Sequence, residues 1–220
     1  MYAKKLLDIA RLADSNPTRT SMEARLQLRK VGTTTAIDPT NYHSIVRSLR
    51  YLVNTRSDLA CSVGFLNRFM EGPREEHLVA VKHIVRYVAG TKGWDVRYCT
   101  GRGKEKLELV IYNDSDMIGD VIDRKSTSGM IYFLSSGAIC WQSTKQNVVV
   151  LSSCEAEYIA ASTAATQEIW LARLMEELIG REGNPPMLYV DNKAMISLIK
   201  NPVLHDRSKH IEIRSGAHQD

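Results

Sequence analysis

Three acidic residues of this chain stand where carboxylates can do phosphoryl chemistry: Asp114, Glu157 and Asp191. Asp114 closes the alternating apolar segment 107–114, Glu157 lies near the start of a long helical pattern, and Asp191 ends the short apolar run that begins at Met187. A carboxylate at a strand end, one on the next helix and one at a later strand end can converge on one point. Such hard oxygen donors suit two divalent cations that clamp the attacking and leaving oxygens of a phosphodiester. The order alone does not separate this reading from ordinary solvated acids.

The neighbourhood sharpens two of the three. Glu155 and Glu157 lie about 200° apart around a helix axis and cannot both face one site. Ser152 and Glu155 have capping-box spacing, which gives Glu155 a structural task and leaves Glu157 for the pocket. Glu157 also shares a stripe with Ala160, Ala161 and Ala164, small enough to let the helix lie close to the strands. Tyr189-Val190-Asp191-Asn192 resembles the Y-x-D-D turn of reverse transcriptases. That turn needs two aspartates in a hairpin, whereas here the second position is Asn192 and a helical pattern follows.

The elements that must position these residues change character along the chain. Before the Gly/Lys-rich stretch 101–104 the periodicity is helical: a short amphipathic stretch from Tyr2, a helix opened by Asp38-Pro39-Thr40, one over 57–70, and one after Gly72-Pro73. After it the pattern predicts a strand over 106–113, a polar loop over 114–128, and a hairpin of 129–134 and 138–143. A helix over 152–179 follows, with Trp170, Leu171, Leu174 and Leu178 on one face. A strand (187–191) and a helix (192–200) complete the pattern. The fold class is α/β, a mixed sheet with packed helices, preceded by a small all-helical segment.

With 220 residues the chain can bury a substantial core. Its net charge of +4 divides unevenly, +7 over residues 1–100 and −3 over 101–220. That asymmetry fits a phosphate-backbone grip beside an acidic pocket, and equally a scattered solvated surface. The four cysteines have no zinc-like spacing, and their reading is reduced thiols in an intracellular protein, cytoplasmic or nuclear. No stretch is apolar enough to span a membrane, and the N-terminus has charges too early for a secretory signal. Oligomeric state is not legible.

The motifs also carry a family resemblance. Asn113-Asp114-Ser115-Asp116, Gly119-Asp120, the run 123–129, the run 151–158, Asp191-Asn192-Lys193 and the run His205–Ile211 occur in an order that resembles the ribonuclease H region of copia-type retrotransposon polyproteins. Asp38-Pro39-Thr40-Asn41-Tyr42, the run 51–58 and the run 84–91 resemble the segment joining the reverse-transcriptase palm to that region. The resemblance implies a helical reverse-transcriptase end over 1–103, a ribonuclease H-like domain over 104–214 and a divergent tail over 215–220. It implies that Asp114, Glu157 and Asp191 are three of four metal-binding carboxylates, that the cofactors are two Mg²⁺ (or Mn²⁺) ions, and that the partner is an RNA–DNA hybrid read by shape and 2′-hydroxyls.

Lys125, Lys145, Gln146 and Asn147 are placed to touch phosphates or sugars, or to be solvated loop residues. His205 and His210 could approach the pocket or be structural, and Asp116, Asp120 and Asp123 could tune it or form turns. The upstream palm and fingers have no counterpart, so the expectation is a chain that does not polymerise DNA alone. Departures from the family pattern are Met117 and Ile118 in place of Trp-Ala, Arg47 in place of glycine, and Ser215–Asp220 in place of the continuation that bears the fourth carboxylate. Hydrolysis impaired by that loss is the expected activity. The alternative is a non-catalytic remnant that binds nucleic acid through its basic N-terminal helices.

Overall fold

Asp38-Pro39-Thr40 does open a helix, and the reason is local chemistry. Asp38 accepts hydrogen bonds from the Thr40 backbone N–H (3.1 Å) and hydroxyl (2.8 Å). Pro39 at the first helical position has no N–H to leave unsatisfied. In the computed structural model, which describes residues 2–24, 26–30, 34–98, 108–116, 125–180 and 185–200, this helix is α2 (Pro39–Val53), preceded by α1 (Tyr2–Ala10) and followed by α3 (Ala60–Leu66) and α4 (Glu75–Gly90). The chain divides into two compact units, residues 1–96 and 97–220. Stretch 101–104, Met117, Ile118, Asp120, Asp123, His205, His210 and the tail 215–220 lie outside the described residues.

The first unit buries one apolar stripe from each helix, including Leu6, Leu7, Tyr42, Ile45, Leu49, Leu59, Leu66, Val81 and Ile84, in a single core. The single helix expected over 57–70 is broken into a 3-10 turn (Ser57–Leu59), α3 and a second 3-10 turn (Asn67–Phe69). At the break, the buried Arg56 guanidinium donates to both carboxylate oxygens of Asp58 (2.8 and 2.6 Å) and to the carbonyl and hydroxyl of Thr91. Burial pushes the Asp58 carboxyl up, but hydrogen bonds from Arg56 and Tyr87 outweigh it and hold the group below its ordinary range. This pairing ties the start of the broken helix to the end of α4.

The second unit holds a four-stranded sheet in the order β3-β2-β1-β4. The strands are β1 (Leu109–Asp116), β2 (Thr127–Leu134), β3 (Gly137–Lys145) and β4 (Met187–Tyr189), with α5 (Ser153–Ile179) and α6 (Lys193–Lys200). β1, β2 and β3 form an antiparallel meander, and β4 joins β1 in parallel after the α5 crossover. This is a ribonuclease H-like mixed sheet with packed helices, and an all-helical unit precedes it. The loop expected from Asp114 onward begins later. Asn113 to Asp116 keep pairing with Met130 to Thr127, because ladder hydrogen bonds come from the backbone and tolerate polar side chains at a sheet end.

The long helix differs from expectation in its second half. Its buried residues are Glu155, Ala156, Glu157, Ala160, Ala161, Ala164 and Leu171, whereas Trp170 is 56% and Leu178 77% exposed. Geometry explains this. α5 has 27 residues and therefore spans about 40 Å, while the 8 residues of β1 reach about 26 Å. α5 runs back along β1 from the Ser115 level, and Leu171 still packs in the cluster that holds Leu109 and Ile111 of β1. Leu171 and Met175 continue the stripe of Glu157, Ala160 and Ala164, whereas Trp170, about 100° around the axis from Leu171, faces away from the sheet and Leu178 is exposed.

One buried group of the first unit gives a test. His77 is fully buried and stacked on Phe69; its Nδ1 accepts the Arg74 N–H (3.0 Å), so its proton sits on Nε2, which donates to the Arg29 carbonyl (3.1 Å). Burial pushes its pKa down. A folded pKa below the unfolded value means stability that is present above about pH 6.5 and lost as pH falls through the lowered value. Amide exchange of α4 is expected to accelerate as pH is lowered from 7 to 5 beyond the intrinsic chemical rate. The His77→Gln chain is expected to lack that extra acid sensitivity, and an identical pH dependence in both chains would refute the assignment.

Candidate metal centre

The strand register brings the first two acids together. Tyr112 pairs with Tyr189 across the parallel β1–β4 ladder, and their rings stack at 5.1 Å with 13° between planes. Such a pair contributes about 0.5–1.5 kcal/mol beyond its buried area. Asp114 and Asp191 each lie two residues beyond it on neighbouring chain segments. β4 ends at Tyr189, shorter than the strand expected to 191, because the chain turns at once into α6. Asn192 caps that helix, its side-chain oxygen accepting the Met195 N–H (3.1 Å). The strand-to-helix context of Asp191 therefore holds, and the polymerase-type turn is excluded.

The third acid comes from α5. Ser152 caps this helix, its hydroxyl accepting the Glu155 N–H (3.1 Å). The Glu155 carboxylate turns back and accepts the Leu151 N–H (2.7 Å), one residue earlier than a standard capping box. Glu155 is thereby occupied, and Glu157 enters the cluster. The alanines at 160, 161 and 164 are all buried, with the Tyr132 hydroxyl donating to the Ala164 carbonyl (3.2 Å), so the helix backbone lies close to the strands. Oxygens of Asp114, Glu157 and Asp191 come within 4.8 Å of one another.

Glu157 is only 5% exposed, whereas Asp114 and Asp191 are open to solvent. Burial pushes its carboxyl up and hydrogen bonds from Ser115 push it down. The charges of Asp114 and Asp191 push it up again, and the net direction is upward. Two like charges at 4–5 Å repel by about 1 kcal/mol in water and by roughly 3–4 kcal/mol at the effective dielectric of a protein surface. Glu157 Oε2 is buried without a hydrogen-bond partner. An orphaned carboxylate oxygen, two more acids beside it and an oxygen-only donor set fit a hard divalent cation such as Mg²⁺ or Mn²⁺.

The remaining sequence candidates fall in different places. Thr127 pairs with both Asp116 and Lys145, so Lys145 stands at the same end of the sheet as the acids, two strand spacings or about 10 Å across. Lys125 donates to the Asn147 carbonyl, and the Asn147 side chain is exposed. Gln146, read as a phosphate or sugar contact or as a solvated loop residue, has its side chain turned inward and 6% exposed. Its amide donates to the Ser128 hydroxyl and to the Ala156 carbonyl, both at 2.9 Å. It braces β2 against the peptide just before Glu157, and with both amide hydrogens spent it has none to donate to a ligand. Asp116 is exposed at the end of β1. Sequence reasoning missed Ser115, whose N–H (3.1 Å) and hydroxyl (2.9 Å) both donate to Glu157 Oε1.

The fold defines a mixed α/β sheet of ribonuclease H-like type carrying three converging carboxylates, and the sequence is similar to known proteins over nearly its whole length. It is 40% identical over 220 residues to the retrovirus-related Pol polyprotein from transposon TNT 1-94 of Nicotiana tabacum, covering 97% of this chain and 16% of that protein. It is 40% identical over 212 residues to the corresponding polyprotein from transposon RE1 of Arabidopsis thaliana, covering 96% and 14%. An uncharacterised mitochondrial protein of Arabidopsis thaliana is 32% identical over 169 residues, covering 77% of this chain and 69% of that protein. The chain belongs to the Pol polyproteins of copia-type retrotransposons. It spans about one sixth of the length of the transposon relatives. No family model matches the chain, and no solved structure matches it.

Three carboxylates with oxygens this close repel one another when all are ionised. Asp191→Asn is expected to raise the thermal midpoint of the second unit in EDTA by about 3–6 °C, the equivalent of about 1 kcal/mol of relieved repulsion. The same change is expected to reduce the stabilisation that added Mg²⁺ confers on the parent chain. Calorimetric scans with and without Mg²⁺ make the comparison, and a lower midpoint in EDTA would contradict this account of the site.

Proposed function

We propose that this chain is a hybrid-directed ribonuclease, hydrolysing the RNA strand of an RNA–DNA duplex at Asp114, Glu157 and Asp191. The observation that carries the reading is the convergence of three carboxylates from β1, α5 and the β4–α6 junction. Its support is the oxygen-only donor set and the membership of the Pol polyproteins of copia-type retrotransposons. In this reading the three acids hold divalent cations, Mg²⁺ or Mn²⁺. Bound there, a cation offsets phosphate charge and lowers the pKa of a water.

The chain's own residues supply the placement. The Tyr112–Tyr189 register keeps Asp114 and Asp191 side by side, and the alanine stripe brings Glu157 to them. Lys125, Lys145 and the exposed Asn147 stand at the end of the sheet that carries Asp114, where a nucleic-acid backbone passing over the acids meets positive charge and an amide. An RNA strand offers the 2′-hydroxyls by which a protein distinguishes it from DNA.

A labelled RNA–DNA hybrid incubated with the chain and Mg²⁺ tests the proposal. The RNA strand is expected to be cut, with the duplex DNA of the same sequence left intact and EDTA abolishing the reaction. Asp114→Asn is expected to lower the rate more than about 100-fold, beyond the 10–100-fold typical of outer-shell partners of a metal. Salt-sensitive binding of the hybrid without cleavage would sink the hydrolytic reading and leave a nucleic-acid-binding module.

A further inference from the structure

We infer that Ser115 is a positioning residue that latches one oxygen of Glu157 and thereby leaves the other, Oε2, as the single oxygen this residue presents to a divalent cation. The inference rests on the proposed metal-binding reading of the trio and adds which atom of Glu157 is used and what selects it. Both donors of Ser115, the backbone N–H (3.1 Å) and the hydroxyl (2.9 Å), converge on Oε1. Oε2 is buried and has no hydrogen-bond partner. A carboxylate can exchange its two oxygens by rotation about its last side-chain bond, and that torsion is soft. Two donors on one oxygen remove the freedom.

The latch acts on a helix that is already clamped. Gln146 holds the Ala156 carbonyl, the peptide immediately before Glu157, and ties it to Ser128. Ser128 is the cross-strand partner of Ser115. The brace therefore fixes the backbone on either side of the gap, and Ser115 fixes the carboxylate that crosses it. Buried polar atoms without partners are rare, because leaving one unpaired costs about 1–3 kcal/mol. An oxygen left unpaired beside a fully engaged twin is what a ligand to be completed by a cation looks like. One oxygen from each of three acids also leaves positions of a six-coordinate ion for water and substrate oxygens.

Isothermal titration of the full chain with Mn²⁺ tests the latch, using the parent, Ser115→Ala, Ser115→Thr and Asp114→Asn. Ser115→Ala removes the hydroxyl and keeps the N–H. It is expected to weaken Mn²⁺ binding about 10-fold, the scale of outer-shell partners. Ser115→Thr restores the hydroxyl and is expected to bind within about 2-fold of the parent, by the same outer-shell reasoning. A merely structural serine gives a different signature: a lower thermal midpoint in EDTA for Ser115→Ala with unchanged Mn²⁺ affinity. That result overturns the latch, as does a Ser115→Thr chain that binds as weakly as Ser115→Ala. If the parent binds Mn²⁺ no better than Asp114→Asn, the metal-binding reading itself fails and the latch with it. Parent binding that survives Ser115→Ala unchanged leaves the metal site standing and removes only the latch.

Discussion

The second unit depends on how closely α5 can lie against β1. A glutamate side chain reaches only a few ångströms from its helix, so Glu157 meets Asp114 only if the two backbones nearly touch. Ala160, Ala161 and Ala164, all buried, supply that approach, because each side chain ends at a single methyl. A larger residue at any of the three would displace the helix axis, since close-packed interiors pass strain on instead of absorbing it. The Tyr132–Ala164 hydrogen bond, the Gln146 brace and the Ser115 donors all span this same short gap. They presuppose the alanine stripe; it does not presuppose them.

Two kinds of restraint hold the acids. Asp114 and Asp191 are placed by backbone register and by the Asn192 cap, which depend little on side-chain packing. Glu157 is placed by side-chain contacts in a buried setting, where hydrogen bonds are stronger and errors cost more. The combination sets two solvent-exposed acids beside one that is sheltered from water. That asymmetry is why burial and neighbouring charge raise the Glu157 carboxyl above its ordinary range.

Much of this was legible in the residues themselves. Helical periodicity separated Glu157 from Glu155, the alanine stripe announced a close approach, and Asp191 read correctly as a strand-to-helix acid. What escaped was whatever depends on partners distant in sequence. Ser115 beside an acid is unremarkable until a glutamate 42 residues later is seen to take both its donors. Gln146 reads as a polar loop residue because no local pattern reveals that its amide will be enclosed between β2 and α5. The apolar face of 170–178 was misjudged for another reason: Trp170 and Leu171 lie about 100° apart on the helix, and only Leu171, with Met175, continues the stripe that meets the sheet. At the first break within 57–70, Arg56 is held by Thr91, 35 residues away in sequence.

The shortness of β4 has a consequence for how the site comes and goes. Three residues tie this edge strand to β1, against eight between β1 and β2. Among the described strands it is therefore the cheapest to detach, and sub-global opening begins at the least-held element. It is also the strand whose pairing with β1 spans the longest stretch of chain, so loop-closure entropy delays it in folding. Asp191 travels with it. The acidic centre is thus assembled last and dismantled first, and a ligand that bridges β1 to Asp191 would act as a rivet on the sheet edge, slowing its fraying in proportion to its own affinity.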